Sequence, residues 1–486
     1  MHPEVQPLLE RPERRTKLPL LLLLVGLAAV MLFRLGELPL DGKREIRTWE
    51  VTRAMVDTGD WLVPRMADGS ERLVKPPGFY WSAAAVSTVA GEVSFFSWRL
   101  PSVLATIAMA WLTWAWARSV GGDRLGMCAV CVLLMMHLIV TQGRRGVAEM
   151  ELALFSNLAL FSFDRIFFRA RSGGLALFAL WVALAVLSKA TTGLMLIGLP
   201  IALALVVHKR VRGAFRAPVL TWVTLGVLAG FAWYFVILAT LPGAWATLRM
   251  AATLPLGVTS DVVVPTATHY SPVWFYFGGL VSAALPALFL LPWTIGRAIK
   301  GRLWSEDPRR RFLALIVISL FVAFSLIPQK QKHYLLPLLP ALSILLADAT
   351  LALLREDPAR GRRLLAGFGI LTAVIGLALG GGLTWFYGVV VGSSTGVLVT
   401  AGVLVVALAL GALRAGLSGR PMRLLGIATC GTLLFALVYY GSLDKWKREF
   451  HAGTVQQRAD YDAARWSSAF DRHEFMRVWF LPREGR

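Results

Sequence analysis

Five short stretches set charged and aromatic side chains between long apolar runs. "LDGKREIRTW" holds Asp41, Arg44, Glu45 and Arg47. "RLVKPPGFYW" locks Lys75 between an apolar pair and two prolines, with Phe79, Tyr80 and Trp81 behind it. "TQGRRGVAEMELALF" carries Arg144, Arg145, Glu149 and Glu151. "LSKATTG" holds Lys189, and "IPQKQKHYLLPLLP" holds Lys330, Lys332, His333 and Tyr334. Cations grouped this way suit an anionic ligand, a phosphate or a lipid headgroup. Carboxylates beside them suit proton transfer, and acids at membrane depth are costly enough to mark function by default. Each feature also has a structural reading. Asp41 or Glu45 can begin the short amphipathic helix expected over 45–56. An Arg–Glu pair can close the loop before Glu149. Lys189, and equally Arg249, can be cations that snorkel to the interface.

These residues need elements to hold them, and the bulk composition says which. The chain has 486 residues, 56% of them hydrophobic, with a mean hydropathy of +0.62. Many apolar segments approach the roughly 20 residues that cross a bilayer as a helix, and strand-like alternation is absent. The expectation is an all-α polytopic membrane protein of about thirteen spans: 18–33, 100–117, 125–141, 150–167, 173–188, 190–207, 219–240, 272–294, 312–327, 335–353, 364–386, 391–413 and 424–441. The net charge of +21 would suggest nucleic acid in a soluble chain. Here it collects in clusters at 118–124, 165–171, 209–216, 297–311, 355–363 and 414–423, as cytoplasmic loops do, so no nucleic-acid partner is expected. Keeping all six clusters on one side requires the segment 78–90 to lie in the interface instead of crossing. Basic residues before 18–33, with no small-residue cleavage site after it, read as an uncleaved first span with the N-terminus inside. Residues 1–441 then form one membrane domain, with the long outer loop 34–99, and 442–486 form a short extracytoplasmic tail. Cys128-x-x-Cys131 reads as two small residues on a buried helix face.

The stretches "TRAMVDTGDWLVPR", "LVKPPGFYW" and "WRLPSVLA", in that order, resemble the bacterial GT-C glycosyltransferases, the lipid A aminoarabinose transferase and protein O-mannosyltransferase-like group among them. The resemblance continues through "GRRGVAEMELALF", "LSKATTGLMLIGLP" and "KHYLLPLLPALSILLA" and covers roughly residues 18–353. It implies a GT-C bundle in the bacterial cytoplasmic membrane. The implied activity moves a sugar from a polyprenyl-phosphate donor to an acceptor on the extracytoplasmic face. It also implies donor-phosphate roles for Lys75 and Tyr334, a second-loop pair in Arg144 and Glu149, and a match of Lys189 to the lysine of a Ser-Lys-Gly stretch. Relatives usually read Asp-Glu-x-Arg about a dozen residues before the Gly-Asp-Trp. Here that register falls on Arg44-Glu45-Ile46-Arg47, so the leading Asp is replaced, and the second-loop acid is Glu where Asp is common.

The chemistry expected is metal-independent inverting transfer without a cofactor. Negative charge grows on the leaving phosphate and is met by preorganised cations, and a carboxylate takes the acceptor proton. Register favours Glu45 as that base, residue type favours Asp41, and Glu149 stands third; Glu45 is the expected one. The remaining candidate phosphate ligands are Arg44, Arg47, Arg249, Lys332 and His333. The expected partners are the lipid-linked sugar, membrane lipids and an acceptor lipid, glycan or protein. Two other readings fit a polytopic chain: a lipid or sugar transporter, against which the missing inverted repeat counts, and a lipid-linked-sugar binding protein that transfers nothing.

Overall fold

In hydrocarbon an apolar segment must satisfy its own backbone hydrogen bonds, and the helix is the single-segment solution. The computed structural model describes residues 17–450 apart from 39, 41, 170–173, 215, 247, 249–270, 302–306, 328–329 and 386–395. Asp41, Arg249 and the tail from 451 onward lie outside the described residues.

The described part is mostly helical; the stretch 59–77 is a loop with an isolated antiparallel bridge between Arg65 and Glu71. The elements are α1 (Lys17–Leu32), α2 (Gly42–Thr58), α3 (Gly78–Val89), α4 (Phe95–Leu134), α5 (His137–Gly143), α6 (Glu149–Arg169), α7 (Leu175–Val207), α8 (Val211–Ala214), α9 (Ala217–Thr240), α10 (Phe275–Ala284) and α11 (Leu291–Ile299). They continue with α12 (Pro308–Leu326), α13 (Leu339–Glu356, preceded by a 3-10 turn Lys332–Leu338), α14 (Pro358–Trp385), α15 (Gly396–Leu417) and α16 (Pro421–Phe450). Among the described residues six helices are long and apolar enough to cross a membrane, or seven if the pair α10 and α11, bent by 111°, counts as one. That measure falls short of the thirteen expected spans for a physical reason. The 40-residue α4 and the 33-residue α7 are each two helices joined across a break, and others are short or carry charge. The final helix also extends to Phe450, nine residues beyond the expected end of the last span.

Burial shows which helices form the axis. The apolar window that contains α13 is 94% buried, against 22–28% for those of α1, α7, α9 and α14. A helix apolar all round and enclosed is a bundle core; one apolar all round and open faces lipid. α13 packs along α4, and α6 packs against α7. The end of the bundle farthest from Glu149 is held by ion pairs. Arg309, at the start of α12, grips the Asp164 carboxylate with Nε at 2.9 Å and also reaches the Ser119 carbonyl next to the α4 break. Arg310 takes Asp348 of α13 at 2.9 and 3.0 Å. Cys128 and Cys131 are buried, unbridged thiols within this packing.

The two breaks coincide with two turns expected from the sequence. α4 breaks at Gly121 and Gly122, the latter at φ 82°. α7 breaks at Lys189 and at Ala190, which stands at φ 42°, ψ −125°. That conformation is essentially reserved for glycine and costs an alanine on the order of 1–3 kcal/mol. Ala190→Gly is therefore expected to stabilise the protein by about 1 kcal/mol, seen as a higher Tm in detergent. A lower Tm would mean that the Ala190 methyl contributes more through packing than it costs in strain.

Candidate active site

The amphipathic pattern over 45–56 folds as α2, whose first turn meets two other segments. Arg99, one turn into α4, is fully buried, and its guanidinium pairs with the Glu45 carboxylate through Nε and Nη2, both at 3.3 Å. Its Nη1 donates to the carbonyls of Leu35 and Leu38 at 3.0 and 2.6 Å, and the group lies over the rings of Phe95 and Trp98. Glu45 Oε1 also accepts the Gly146 N–H at 2.8 Å. Thr48, one turn on, donates to the Gly146 carbonyl at 2.5 Å. Both backbone polar groups of Gly146, in the loop before α6, are thus clamped by α2. Glycine is required there, because a Cβ on residue 146 would lie 2.3 Å from the Trp98 ring.

The clamp sets the first residue of α6. Glu149 is buried, and its Oε1 receives Arg44 Nη1 at 3.1 Å, with Lys189 Nζ at 3.5 Å and His333 Nε2 at 3.5 Å. Arg44 Nη1 also lies 3.0 Å from His333 Nε2. These groups come from α2, from the break in α7 and from the 3-10 turn before α13. Tyr334 closes the group, with the Lys189 ammonium 5.1 Å from its ring centroid and the His333 ring against it at 4.8 Å. The α7 break has a role here, since an unbroken helix would carry Lys189 past the carboxylate.

Lys75 completes the cluster from another direction. It lines a pocket together with Arg44, Thr48, Pro76, Phe79, Tyr80, Val147, Ala148, Glu149 and Ser188. Among the described residues it makes no hydrogen bond or ion pair. Burial pushes its ammonium down to about pKa 8, Glu149 works against that, and Lys189, Arg72 and Arg44 add to it. Pro76 and Pro77 stiffen the backbone, and Gly78 brings α3 directly onto α7, where a Cβ would lie 2.6 Å from the Leu187 carbonyl. Tyr80 extends the wall, its hydroxyl accepting Arg72 Nε at 3.3 Å.

Of the residues singled out from the sequence, Arg44, Lys75, Glu149, Lys189, His333 and Tyr334 come together. Others do not. Glu45, the expected base, turns to Arg99 and Gly146 and is absent from the pocket wall. Arg144 points the opposite way from its companion acid. Its guanidinium caps the C-terminus of α1, binding the carbonyls of Val30, Met31 (3.0 Å) and Phe33 (2.6 Å), where the helix dipole favours a cation. Lys332 is exposed, while its neighbour Lys330 is buried on the carbonyls of Ser271 and Ile327 at 2.9 and 2.7 Å. Arg47 sits one turn along α2 from Arg44. Glu151 accepts the Ser82 hydroxyl at 2.6 Å. Arg99, Thr48 and Ser188 were not picked out as site residues. The signal for Arg99 was present: an arginine at the start of an apolar span needs a buried partner.

With this geometry in view, the likenesses to known proteins become specific. The sequence profile of the family described as dolichyl-phosphate-mannose-protein mannosyltransferase matches residues 74–235, from Lys75 past Lys189. The undecaprenyl phosphate-α-4-amino-4-deoxy-L-arabinose arabinosyl transferase 1 of Pseudomonas fluorescens is 26% identical over 340 residues, covering 68% of this chain and 58% of that protein. The corresponding transferase of Shewanella sediminis is 28% identical over 359 residues, 71% of this chain and 62% of the other. The chain spans about three fifths of the length of these relatives. Among solved structures, ArnT from Cupriavidus metallidurans bound to undecaprenyl phosphate superposes with a TM-score of 0.68 at 18% identity, covering 95% of this chain and 85% of that one. Its apo state gives 0.71 at 19%, covering 94% and 84%. The chain is a polytopic membrane protein with the GT-C fold, similar in sequence to the aminoarabinosyl transferases.

Proposed function

We propose that the protein is a glycosyltransferase that takes a sugar from a polyprenyl-phosphate donor and passes it to an acceptor hydroxyl. The observation that carries this reading is the half-buried Lys75 ammonium, which makes no hydrogen bond or ion pair among the described residues and shares a pocket with Arg44 and Glu149, itself paired with Lys189. One carboxylate stands among three cations there, and a phosphate is a compensating group that these cations fit. The relatives named for undecaprenyl phosphate support the donor class. The proposed site faces the extracytoplasmic side of the bacterial cytoplasmic membrane, with the N-terminus and the arginine clusters inside. Side-chain cations serve in place of a metal ion, and no cofactor takes part.

In the proposed reaction the acceptor oxygen attacks the anomeric carbon opposite the phosphate. The bond between that carbon and the phosphate oxygen breaks, its electron pair leaves on the phosphate, and the acceptor proton passes to a carboxylate. Lys75, Lys189 and Arg44 stabilise the growing phosphate charge, an effect of a few kcal/mol per preorganised group. Glu149 is the proposed proton acceptor, since it is the carboxylate among the described residues that lines the pocket. Glu45 is proposed as a positioning residue that acts through Gly146 on the loop before Glu149. The acceptor itself, lipid, glycan or protein, is left open by the site.

Four measurements test this. Lys75→Met should lower transfer per folded molecule on the order of a hundredfold, and Lys75→Arg should recover part of it, since a guanidinium fork differs from a point charge. Normal transfer by Lys75→Met, corrected for yield, removes the phosphate role. A pKa near 8 adds a pH signature. Lys75 is charged below that value and neutral above it, so donor binding should weaken as pH rises through about 8. Lys75→Arg should flatten the profile, because the guanidinium keeps its charge.

The two carboxylates separate by stability. Glu45→Gln strands the buried Arg99 charge and should cost about 3 kcal/mol of stability while folded molecules still turn over. Glu149→Gln should abolish turnover. The reverse pattern would return the base to Glu45. Orientation is checked by an impermeant thiol reagent, which should leave a cysteine placed at 310 unlabelled from outside and label one placed at 332.

A further inference from the structure

One oxygen, Glu149 Oε1, is the meeting point of Arg44 at 3.1 Å, Lys189 at 3.5 Å and His333 at 3.5 Å. Arg44 is shared further, with His333 Nε2 3.0 Å from the same Nη1. A phosphate entering beside Lys75 would draw on Arg44 and Lys189, the cations that this carboxylate already engages. Both anions cannot hold the same donors at full strength, and at such separations in a partly buried site their mutual repulsion is large.

We propose that Glu149 is a built-in competitor for the donor phosphate, bound to the same cations and displaced from them in each catalytic cycle. This rests on the donor class proposed above and adds an order of events to it. Donor binding draws Arg44 and Lys189 toward the phosphate. The carboxylate loses part of its cationic shell and gains basicity, so it accepts a proton well only when a donor is in place. Transfer then moves one proton onto Glu149 and one negative charge onto the leaving phosphate. The donor diester, with one charge, becomes a monoester that carries two. When Glu149 returns its proton to solvent, its renewed charge faces the dianion across shared cations and drives the product out. The same side chain thereby links acceptor deprotonation to product release.

The test uses the full-length protein in detergent, with undecaprenyl phosphate as the probe and folding followed by gel filtration and thermal unfolding. Removing an active-site charge is expected to improve binding: Glu149→Gln should bind undecaprenyl phosphate about tenfold more tightly, or better, than the wild type. Glu149→Asp keeps the charge but withdraws it by one methylene and should tighten binding by less. Unchanged or weaker binding by folded Glu149→Gln overturns the competitor role. If that variant does not fold, weaker binding by Glu149→Asp overturns it instead. A wild type that does not bind the probe overturns this inference and the donor class together. A wild type that binds, weakened by Lys75→Met but not tightened at position 149, overturns this inference alone.

Discussion

The convergence of Arg44, Lys189 and His333 on the Glu149 carboxylate is the constraint that the rest of the site serves. Arg44, Lys189 and His333 stand 105, 40 and 184 residues from Glu149 along the chain (149 − 44, 189 − 149 and 333 − 149). Like charges do not assemble unaided, and an anion between them makes the arrangement stable. The helix geometry follows from that need. α7 accepts a strained alanine to turn Lys189 inward, the chain before α13 winds as a 3-10 turn that presents His333 and Tyr334 together, and α2 supplies Arg44 from its first turn.

A second buried pair works beside the first. Arg99 and Glu45 are both withdrawn from water, so their value lies less in net stability than in fixing where α2 and the loop before α6 meet. The hydrogen bonds from that pair to Leu35, Leu38 and Gly146 satisfy backbone groups that would otherwise be orphaned in an apolar setting. Arg44 then gains its meaning. The resemblance read from the sequence implies an aspartate at its position in the first-loop motif; here its guanidinium leans on Glu149.

The all-helical class and several element positions were legible in the sequence, because apolar run length acts locally. The breaks at 121–122 and 189–190 and the short helices over 45–56 and 78–90 could be placed from charge and spacing alone. The direction in which a side chain points is a tertiary matter. Glu45 and Arg144 bore the residue types and neighbours of catalytic groups, yet Glu45 meets an arginine 54 positions away and Arg144 meets the end of the first helix. Neither partner follows from local periodicity. Lys75 and Lys189 were legible because each is an isolated cation in an apolar stretch, where the cost of burial leaves few roles.

The contact between Gly78 and the Leu187 carbonyl joins Lys75 and Lys189 mechanically. Each lysine is within three residues of that touching point, on segments that press backbone to backbone with no side chain between them. The backbones that carry the two lysines therefore move as one body. Their relative placement is set when the chain folds, while each ammonium keeps the reach of its own flexible stem, so Lys189 can swing from Glu149 toward a phosphate. Arg44 and His333 are carried on other elements, and it is there that larger adaptation to differently shaped headgroups has room to occur.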